Sequence, residues 1–586
     1  MISSKVLIIL GIFITNIIAA TVKELENENT FKFIILHNND MHARFEQVSK
    51  YATRCSPEDA NSNECYGGFA RVAHEVRKYR NESENGGLPV LYLNAGDTYT
   101  GTPWFTIYRD NITAAFLNIL SPDAISLGNH EFDEGTENLA EFLNEVEFPV
   151  LTANIKVENT SLENSEWLKN STVFDIAGTR VGVIGYLTPD TKNITKDCSV
   201  ELTDEIEAIN EEARSLRESG INIIIALGHS GYQKDQEIAK KCPDVDIVIG
   251  GHSHTFLYTG RPPSNEIPEG MYPTLVKNSR GKEVPVVQAY AYTKYLGKIE
   301  VEFDKTGNLV NWNGKPILLN ATIPEDSDVL ELLEVYRPLI TALETQIVGY
   351  TKVPLEGGGD VCRKEECNLG NLIADSLVFI RVRELNQTSL NSTWTDAAIG
   401  LIQGGGIRAP IEKRPDGSIT LSDILTTMPF RTSMEKVTMK GSTLRRALQH
   451  SADVWDKDSN GGFLQMSGLK VVYDMRKKEG ERLKDVQVLC ADCSVPTYFD
   501  LNDDAYYGVI MSEFLAGGGD GFDFTDATRE LLPLTDYEFL VEYIKDKTPV
   551  YPGIEDRIVI QATGAGSSIC VSIILLVISL CSKLFF

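Results

Sequence analysis

Apolar runs of strand type recur through the first half of the chain, and five of them pass straight into polar side chains: FIILHNNDMH, VLYLNAGD, AISLGNHEFD, IIIALGH and IVIGGHSH. Helical patterns separate them, as over residues 69–79 and 201–219. Strand and helix in alternation predict a layered α/β domain, here over residues 28–320. The segment KIEVEF, beyond Gly297, adds a further strand.

After Pro324 the period changes. Val329, Leu332, Leu333, Tyr336, Ile340 and Leu343 recur at i, i+3, i+4 spacing, and Asp326 or Ser327 can cap the turn before them. The pattern predicts a helix over residues 325–346, with a kink expected at Pro338, bridging to a second, α+β domain over residues 347–560. That second domain carries no metal-ligand clusters. It has three glycine-rich loops instead: LEGGGD (355–360), QGGGIR (403–408) and AGGGDG (516–521).

A chain of 586 residues exceeds what one hydrophobic core serves, which agrees with two domains. The formal charge of −28 repels nucleic acid and anionic membrane, so nucleic acid is excluded as a partner and a phosphate-bearing ligand needs a local positive site. Residues 1–20 read as a secretory signal, with Lys5, an apolar stretch, then Ala19 and Ala20. Over residues 561–586, small residues precede a short apolar tail, the pattern of a signal for a glycolipid (GPI) anchor at the cell membrane. Removing Cys570 and Cys581 with those ends leaves Cys55, Cys65, Cys198, Cys242, Cys362, Cys367, Cys490 and Cys493. An even number in an oxidising compartment predicts four disulfides, the close pairs closing small loops. Asn-x-Ser/Thr acceptors at Asn81, Asn111, Asn159, Asn170, Asn193, Asn320, Asn386 and Asn391 fit a glycosylated extracellular surface.

The five strand ends deliver Asp40, His42, Asp97, Asn129, His130, His229, His252 and His254. In layered α/β sheets the ligand crevice lies beyond the carboxyl ends of the strands, so all eight aim at one place. Carboxylate and amide oxygens mixed with imidazole nitrogens suit divalent ions such as zinc or manganese. Two such ions about 3.5–4 Å apart form a clamp for phosphoryl transfer. In the second domain, Phe430 and Phe514 can stack a base, Asp520 can accept ribose hydroxyls and Arg408 can grip phosphate. Each phenylalanine taken alone reads equally well as core.

The motifs DMH, GDTYTG, GNHEFD, GHSG and GGHSH, and the chain from about residue 31 to 560, resemble the ecto-5′-nucleotidase family, which includes arthropod apyrases. The resemblance implies a four-layer calcineurin-like metallophosphoesterase domain followed by a 5′-nucleotidase C-terminal domain. It implies two divalent ions, zinc by expectation: Asp40, His42 and Asp97 on one, and Asp97, Asn129, His229 and His252 on the other. His254 completes a Gly-His-x-His pattern and joins the first ion. His130 and Asp133 become the catalytic pair, with an ion-activated water as nucleophile. Arg363 and Arg408, with Arg44, would contact phosphate; the base would lie between Phe430 and Phe514, and Asp520 would take the ribose. Gln403 and Gly517 stand where vertebrate members carry Asn. Ala374 and Gly400 together replace a cysteine pair, and Cys198 and Cys242 are expected as an added bridge. The activity implied is extracellular hydrolysis of nucleoside 5′-monophosphates, AMP foremost. Apyrase action on ATP and ADP is the alternative; a non-catalytic nucleotide-binding or adhesion ectodomain would show a missing ligand, and none is missing. The resemblance further implies a homodimer, and because the base-binding groups and the metal donors are expected on separate domains, the bridge around residues 325–350 is expected to let one rotate against the other.

Overall fold

The computed structural model describes residues 30–195, 198–385, 393–457 and 460–561. The expected signal over 1–20, the anchor signal from 562 onward, and Asn386 and Asn391 lie outside the described residues. The chain divides into two units, Met1–Leu343 and Glu344–Phe586.

In the first unit the strand Thr30–Asn38 is buried on both faces along its second half. Side chains alternate along a strand, so Phe33 and Ile35 face one way and Ile34 and Leu36 the other. Phe33 and Ile35 join Val181, Val183, Ile223, Ile225 and Ile249 in a core between two sheets. Ile34 and Leu36 pack instead with Phe69 and Val72 of the helix Phe69–Glu84 and with Phe116 and Leu117 of the helix Pro103–Leu120. The first sheet, of eight strands, is ordered Leu309–Gly314, Tyr295–Asp304, Thr30–Asn38, Val90–Asn94, Ala124–Ser126, Val150–Leu151 and Leu168–Lys169, with Ile317–Leu318 beside the second of these. The other, of six strands, is ordered Thr274–Lys277, Glu283–Val287, Ile247–Ile249, Ile223–His229, Thr179–Leu187 and Ser171–Ile176. Its outer face, with Ile184, Ile224 and Val248, is covered by Ile209 and Ala213 of the helix Glu205–Glu218 and by Ile238 of the helix Tyr232–Lys241. The result is helix, sheet, sheet, helix: the four layers expected. The ligand-bearing strands run parallel within each sheet, so within each their carboxyl ends share one edge.

The helix expected over 201–219 starts at Glu205, where the side chain of Asp204 caps it by accepting from the Glu207 N–H at 2.9 Å. Glu201–Leu202 pairs instead with Ile155–Lys156 as a short antiparallel ladder. The bridging segment forms one helix, Ser327–Thr345, that includes Pro338, and Val329, Leu333 and Ile340 belong to the first unit's core. Among the described residues no helix is long and apolar enough to cross a membrane.

The second unit is α+β. A five-stranded sheet is ordered Leu464–Ser467, Ile399–Gln403, Tyr506–Ser512, Ser433–Lys440 and Thr528–Thr535, and a four-stranded sheet is built on Leu469–Asp474. The helix Asn368–Glu384 packs against both Ile399–Gln403 and the helix Asp536–Lys547.

Three disulfides close the local loops expected: Cys55–Cys65, Cys362–Cys367 and Cys490–Cys493. The expected fourth, Cys198–Cys242, does not form. Cys198 packs on the helical side of the first sheet, whereas Cys242 is buried on the outer face of the second, its thiol directed at the Ile206 carbonyl. The two sulfurs belong to different apolar layers.

Candidate active site

Three of the five ligand-bearing strands, Thr30–Asn38, Val90–Asn94 and Ile247–Ile249, end in turns that would strain an ordinary residue. Asp40, His42, Asp97, His252 and His254 have φ of 51°, 48°, 56°, 78° and 54°. A side chain with a Cβ pays roughly 1–3 kcal/mol to sit there, so the surroundings must over-determine each turn. Glu131 does so for Asp97. Its buried carboxylate accepts from the backbone N–H groups of Asp97, Thr98, Tyr99 and Gly128 at 3.0, 2.8, 3.1 and 2.6 Å. Gly128 must lack a Cβ, which would lie 2.1 Å from Asp97 Oδ1. Asn39 fixes the neighbouring turn, its Nδ2 donating to Asp40 Oδ2 and to the Tyr290 carbonyl, both at 2.6 Å.

These turns bring the strand ends of both sheets together. Asp40, His42 and His254 form one set of mutually close donor atoms; Asp97, His229 and His252 form another; Asp97 also meets His42 and His130. His254 Nε2 lies 3.2 Å from Asp40 Oδ1 and 3.0 Å from His42 Nε2, while His229 Nε2 lies 2.9 Å from Asp97 Oδ2. Asn129 Oδ1 is 2.9 Å from His252 Nδ1. Asp40 Oδ1 and Asp97 Oδ2 are tied to the same ring, His229 Nε2, which is 3.7 Å from the former. His130 stands beside them: its Nε2 is 3.9 Å from Asp97 Oδ2, and its Nδ1 is 2.7 Å from Asp133 Oδ2.

The donor set fits divalent cations. The Nδ1 atoms of His42 and His229 face the carbonyls of Thr100 and Ala95 at 3.0 and 2.7 Å, which assigns an N–H to Nδ1 and aims the Nε2 atoms, the ones that would bind an ion, into the cluster. The electrostatics agree. Burial opposes a charge on Asp97, yet His229 and His130 hold its carboxyl well below the usual carboxylate range. Burial likewise opposes a charge on His229, and Asp97 and Asp40 override it, raising the ring's pKa. Burial and the His229 charge push His252 down to about 3. Two buried carboxylates therefore draw positive charge into the cluster: without a cation His229 carries it as a proton, and a divalent ion would take that proton's place.

In the second unit the glycine-rich loops converge. Gly404 abuts Cys362 and Arg363, Gly405 abuts Gly461, and Gly461 faces the Asp520 carboxylate. Phe514 lies on Gly519 so closely that a Cβ there would sit 2.4 Å from its ring. Gln403 is buried, and its Oε1 makes no hydrogen bond. The Arg408 guanidinium is 5.8 Å from the Phe430 ring centre. Asp520 holds φ of 55°, its carbonyl accepting from His450 Nε2 at 2.8 Å; burial lifts its carboxyl to about 6, against the pull of Arg363.

Comparison with known proteins settles the lineage. Residues 33–256 match the calcineurin-like phosphoesterase family and residues 347–527 the 5′-nucleotidase C-terminal domain. Protein 5NUC of Lutzomyia longipalpis is 46% identical over 94% of this chain and 96% of its own length. Human 5′-nucleotidase is 41% identical over 90% of this chain and 91% of its own. The crystal structure of a 5′-nucleotidase precursor from Thermus thermophilus aligns with a TM-score of 0.81 at 34% identity, covering 91% of this chain and all of that one. The chain belongs to the 5′-nucleotidase family. It is a metal-dependent phosphoric monoester hydrolase whose first unit carries the donors for two divalent ions.

Within this 5′-nucleotidase every residue expected at the ions lies in the cluster, Asn129 through its contact with His252. Arg44 is more committed than its sequence suggested. It is 3% exposed, and its guanidinium donates to the carbonyls of His42, Gly101 and Ala52, bracing the turn that carries His42. Glu131 and Asn39 escaped the sequence reading. Glu131 stands inside GNHEFD and could have been flagged as a buried acid in an apolar setting; nothing in the sequence around Asn39 marks it as more than a turn residue.

Proposed function

We propose that this enzyme hydrolyses nucleoside 5′-monophosphates, AMP foremost, to nucleoside and phosphate outside the cell. The observation that carries the reading is the His130–Asp133 pair standing beside Asp97, the carboxylate shared between the donor sets. Asp40, His42 and His254, with Asp97, would hold one ion, and Asp97, Asn129, His229 and His252 the other. The mixture of imidazole and oxygen donors favours zinc. Bound there, two ions would polarise the phosphoryl group and bring the pKa of an attacking water toward neutrality.

The chain's own groups do the rest. Asp133 orients the His130 ring through Nδ1, leaving Nε2 to carry the proton that departs with the nucleoside's 5′-oxygen. Arg44 keeps the His42 turn in place. In the second unit Phe430 and Phe514 stack the base, Asp520 accepts from the ribose hydroxyls, and Arg363 and Arg408 offer charge to phosphate. The unsatisfied Gln403 Oε1 suits the amino group of adenine, since a buried acceptor gains from any donor that reaches it.

The local disulfides support an oxidising, extracellular setting. Glycolipid anchoring and a homodimer belong to the same proposal, tested by phospholipase release from cells and by light scattering. Phosphate release from AMP, ADP and ATP tests the substrate. Release from AMP supports the reading; release from ATP and ADP with none from AMP would make the enzyme an apyrase.

A further inference from the structure

Beside the metal donors runs a strap, residues 289–293, that holds three left-handed residues with side chains. Tyr290, Tyr292 and Thr293 have φ of 61°, 59° and 62°. None is Gly, Asn or Asp, the residues that tolerate this region, and strain of this density persists only where neighbours pin it. Here they do. Asn39 Oδ1 accepts from the Ala289 N–H at 2.9 Å, and Asn39 Nδ2 donates to the Tyr290 carbonyl at 2.6 Å. The Tyr290 N–H donates to the Thr255 carbonyl at 3.1 Å, and the Tyr292 N–H donates to the Asp40 carbonyl at 2.8 Å. Thr293 Oγ1 accepts from the Gly68 N–H at 2.7 Å. The strap is thereby sewn to both turns that carry one ion's donors, the 39–42 turn and the 252–255 turn.

The strain delivers one side chain. The half-buried Tyr292 ring stands edge-on to His254, centres 5.1 Å apart at 85°, and tilted against His42, 5.7 Å apart at 39°. The Arg44 guanidinium lies 4.9 Å from the same ring centre. One aromatic ring thus touches both imidazoles of the set Asp40, His42 and His254, together with the arginine that braces the His42 turn. No Tyr292 ring contact of this kind reaches His229 or His252, which pair with each other at 5.2 Å.

We infer that Tyr292 is a positioning residue for one of the two ions, the one assigned to Asp40, His42 and His254. It acts as a wall that fixes the planes of both imidazoles, most of all His254, whose side chain is 20% exposed where those of His42 and His229 are fully buried. Its reach is selective because its contacts are. The ring face, rather than the hydroxyl, does the positioning, so phenylalanine suffices and alanine does not. This inference rests on the ion assignment above.

Metal-stripped parent protein, Tyr292→Ala, Tyr292→Phe and His254→Asn are titrated with Zn²⁺ by calorimetry, and bound metal is counted after dialysis. The parent takes up two ions. Tyr292→Ala keeps one tight ion and binds the other about 10–100-fold more weakly, the range for losing a partner behind a metal ligand. Tyr292→Phe matches the parent, and adding Tyr292→Ala to His254→Asn weakens binding less than the two single effects combined, because both act on the same ring. Two ions bound as tightly in Tyr292→Ala as in the parent would overturn the inference. So would loss of both ions together, which would make Tyr292 a general packing residue, or failure of Tyr292→Phe to match the parent. A parent that takes up fewer than two ions would remove the ion assignment itself.

Discussion

His130 Nδ1 and Asp133 Oδ2 lie 2.7 Å apart across a single turn of 3₁₀ helix, so the acid that orients the imidazole comes from the same short motif as the imidazole. Asp97 Oδ1 accepts from the His130 backbone N–H at 3.0 Å, tying this pair to the shared carboxylate. His130→Ala is expected to lower kcat for AMP by roughly 10²–10⁴-fold, the usual span for one proton-transfer group. Asp133→Asn should lose less, with KM unaltered in both. Steady-state kinetics on AMP checks this, and a change confined to KM would contradict it.

Glu131 touches no substrate, yet four backbone N–H groups depend on its two oxygens. Glu131→Gln replaces one accepting oxygen with a donor and strands about two of them. At ~1.5–3 kcal/mol for each hydrogen bond to a charged group, the expected loss is on the order of 3–6 kcal/mol. Thermal melts of the metal-free protein should show the drop. Because the same bonds hold Asp97, metal affinity should fall with stability.

Asp536 is 5% exposed at the start of the helix Asp536–Lys547, and burial raises its carboxyl to about 7 even though the Tyr537 and Thr432 backbones oppose the shift. An acid whose folded pKa lies above its unfolded value of about 3.9 contributes stability below that value and loses it as pH rises toward 7. Between about pH 4 and 7 the second unit should therefore weaken as pH increases. Asp536→Asn should flatten this slope and stabilise the protein above pH 7 by a few kcal/mol, on the order of 3–4 at most. Denaturant titrations of parent and variant across that window measure it. Parallel slopes would contradict it.

Asp520 titrates near 6 in the folded protein, burial being the main cause and Arg363 the opposing one. If its carboxylate accepts ribose hydroxyls, KM for AMP should rise as pH falls through 6 while kcat follows its own profile. Asp520→Asn should show the raised KM at every pH and lack the acid limb. A parent KM that stays flat from pH 5 to 8 would remove Asp520 from nucleoside recognition.

The layered first unit and the clustering of its candidate ligands were legible because both signals are local. An apolar run of strand length followed by a metal-binding side chain needs no distant information, and strands such as Ile223–His229 bury every residue, as a continuous apolar run suggests. What the sequence hid depends on contacts made across the fold. Cys198 and Cys242 look like a pair until the sheets place them in different layers. Arg44 reads as a phosphate ligand, and that its Nε and Nη1 also donate to three carbonyls around the His42 turn is invisible in the sequence. Glu201 and Leu202 fit a helical pattern, but pairing with Ile155–Lys156 and the Asp204 cap move the helix start to Glu205. Tyr292 carries no sequence mark at all, because its left-handed φ is imposed by partners as distant as Asp40.

Two divalent cations, which we propose are held by Asp40, His42, Asp97, Asn129, His229, His252 and His254, are expected to be required for hydrolysis. The most direct measurement removes metal with a chelator and adds Zn²⁺ back in steps, following ions bound per chain and phosphate released from AMP together. Activity that vanishes on stripping and returns only as the second ion binds is the expected result. Phosphate release that persists in protein holding no metal would contradict the account.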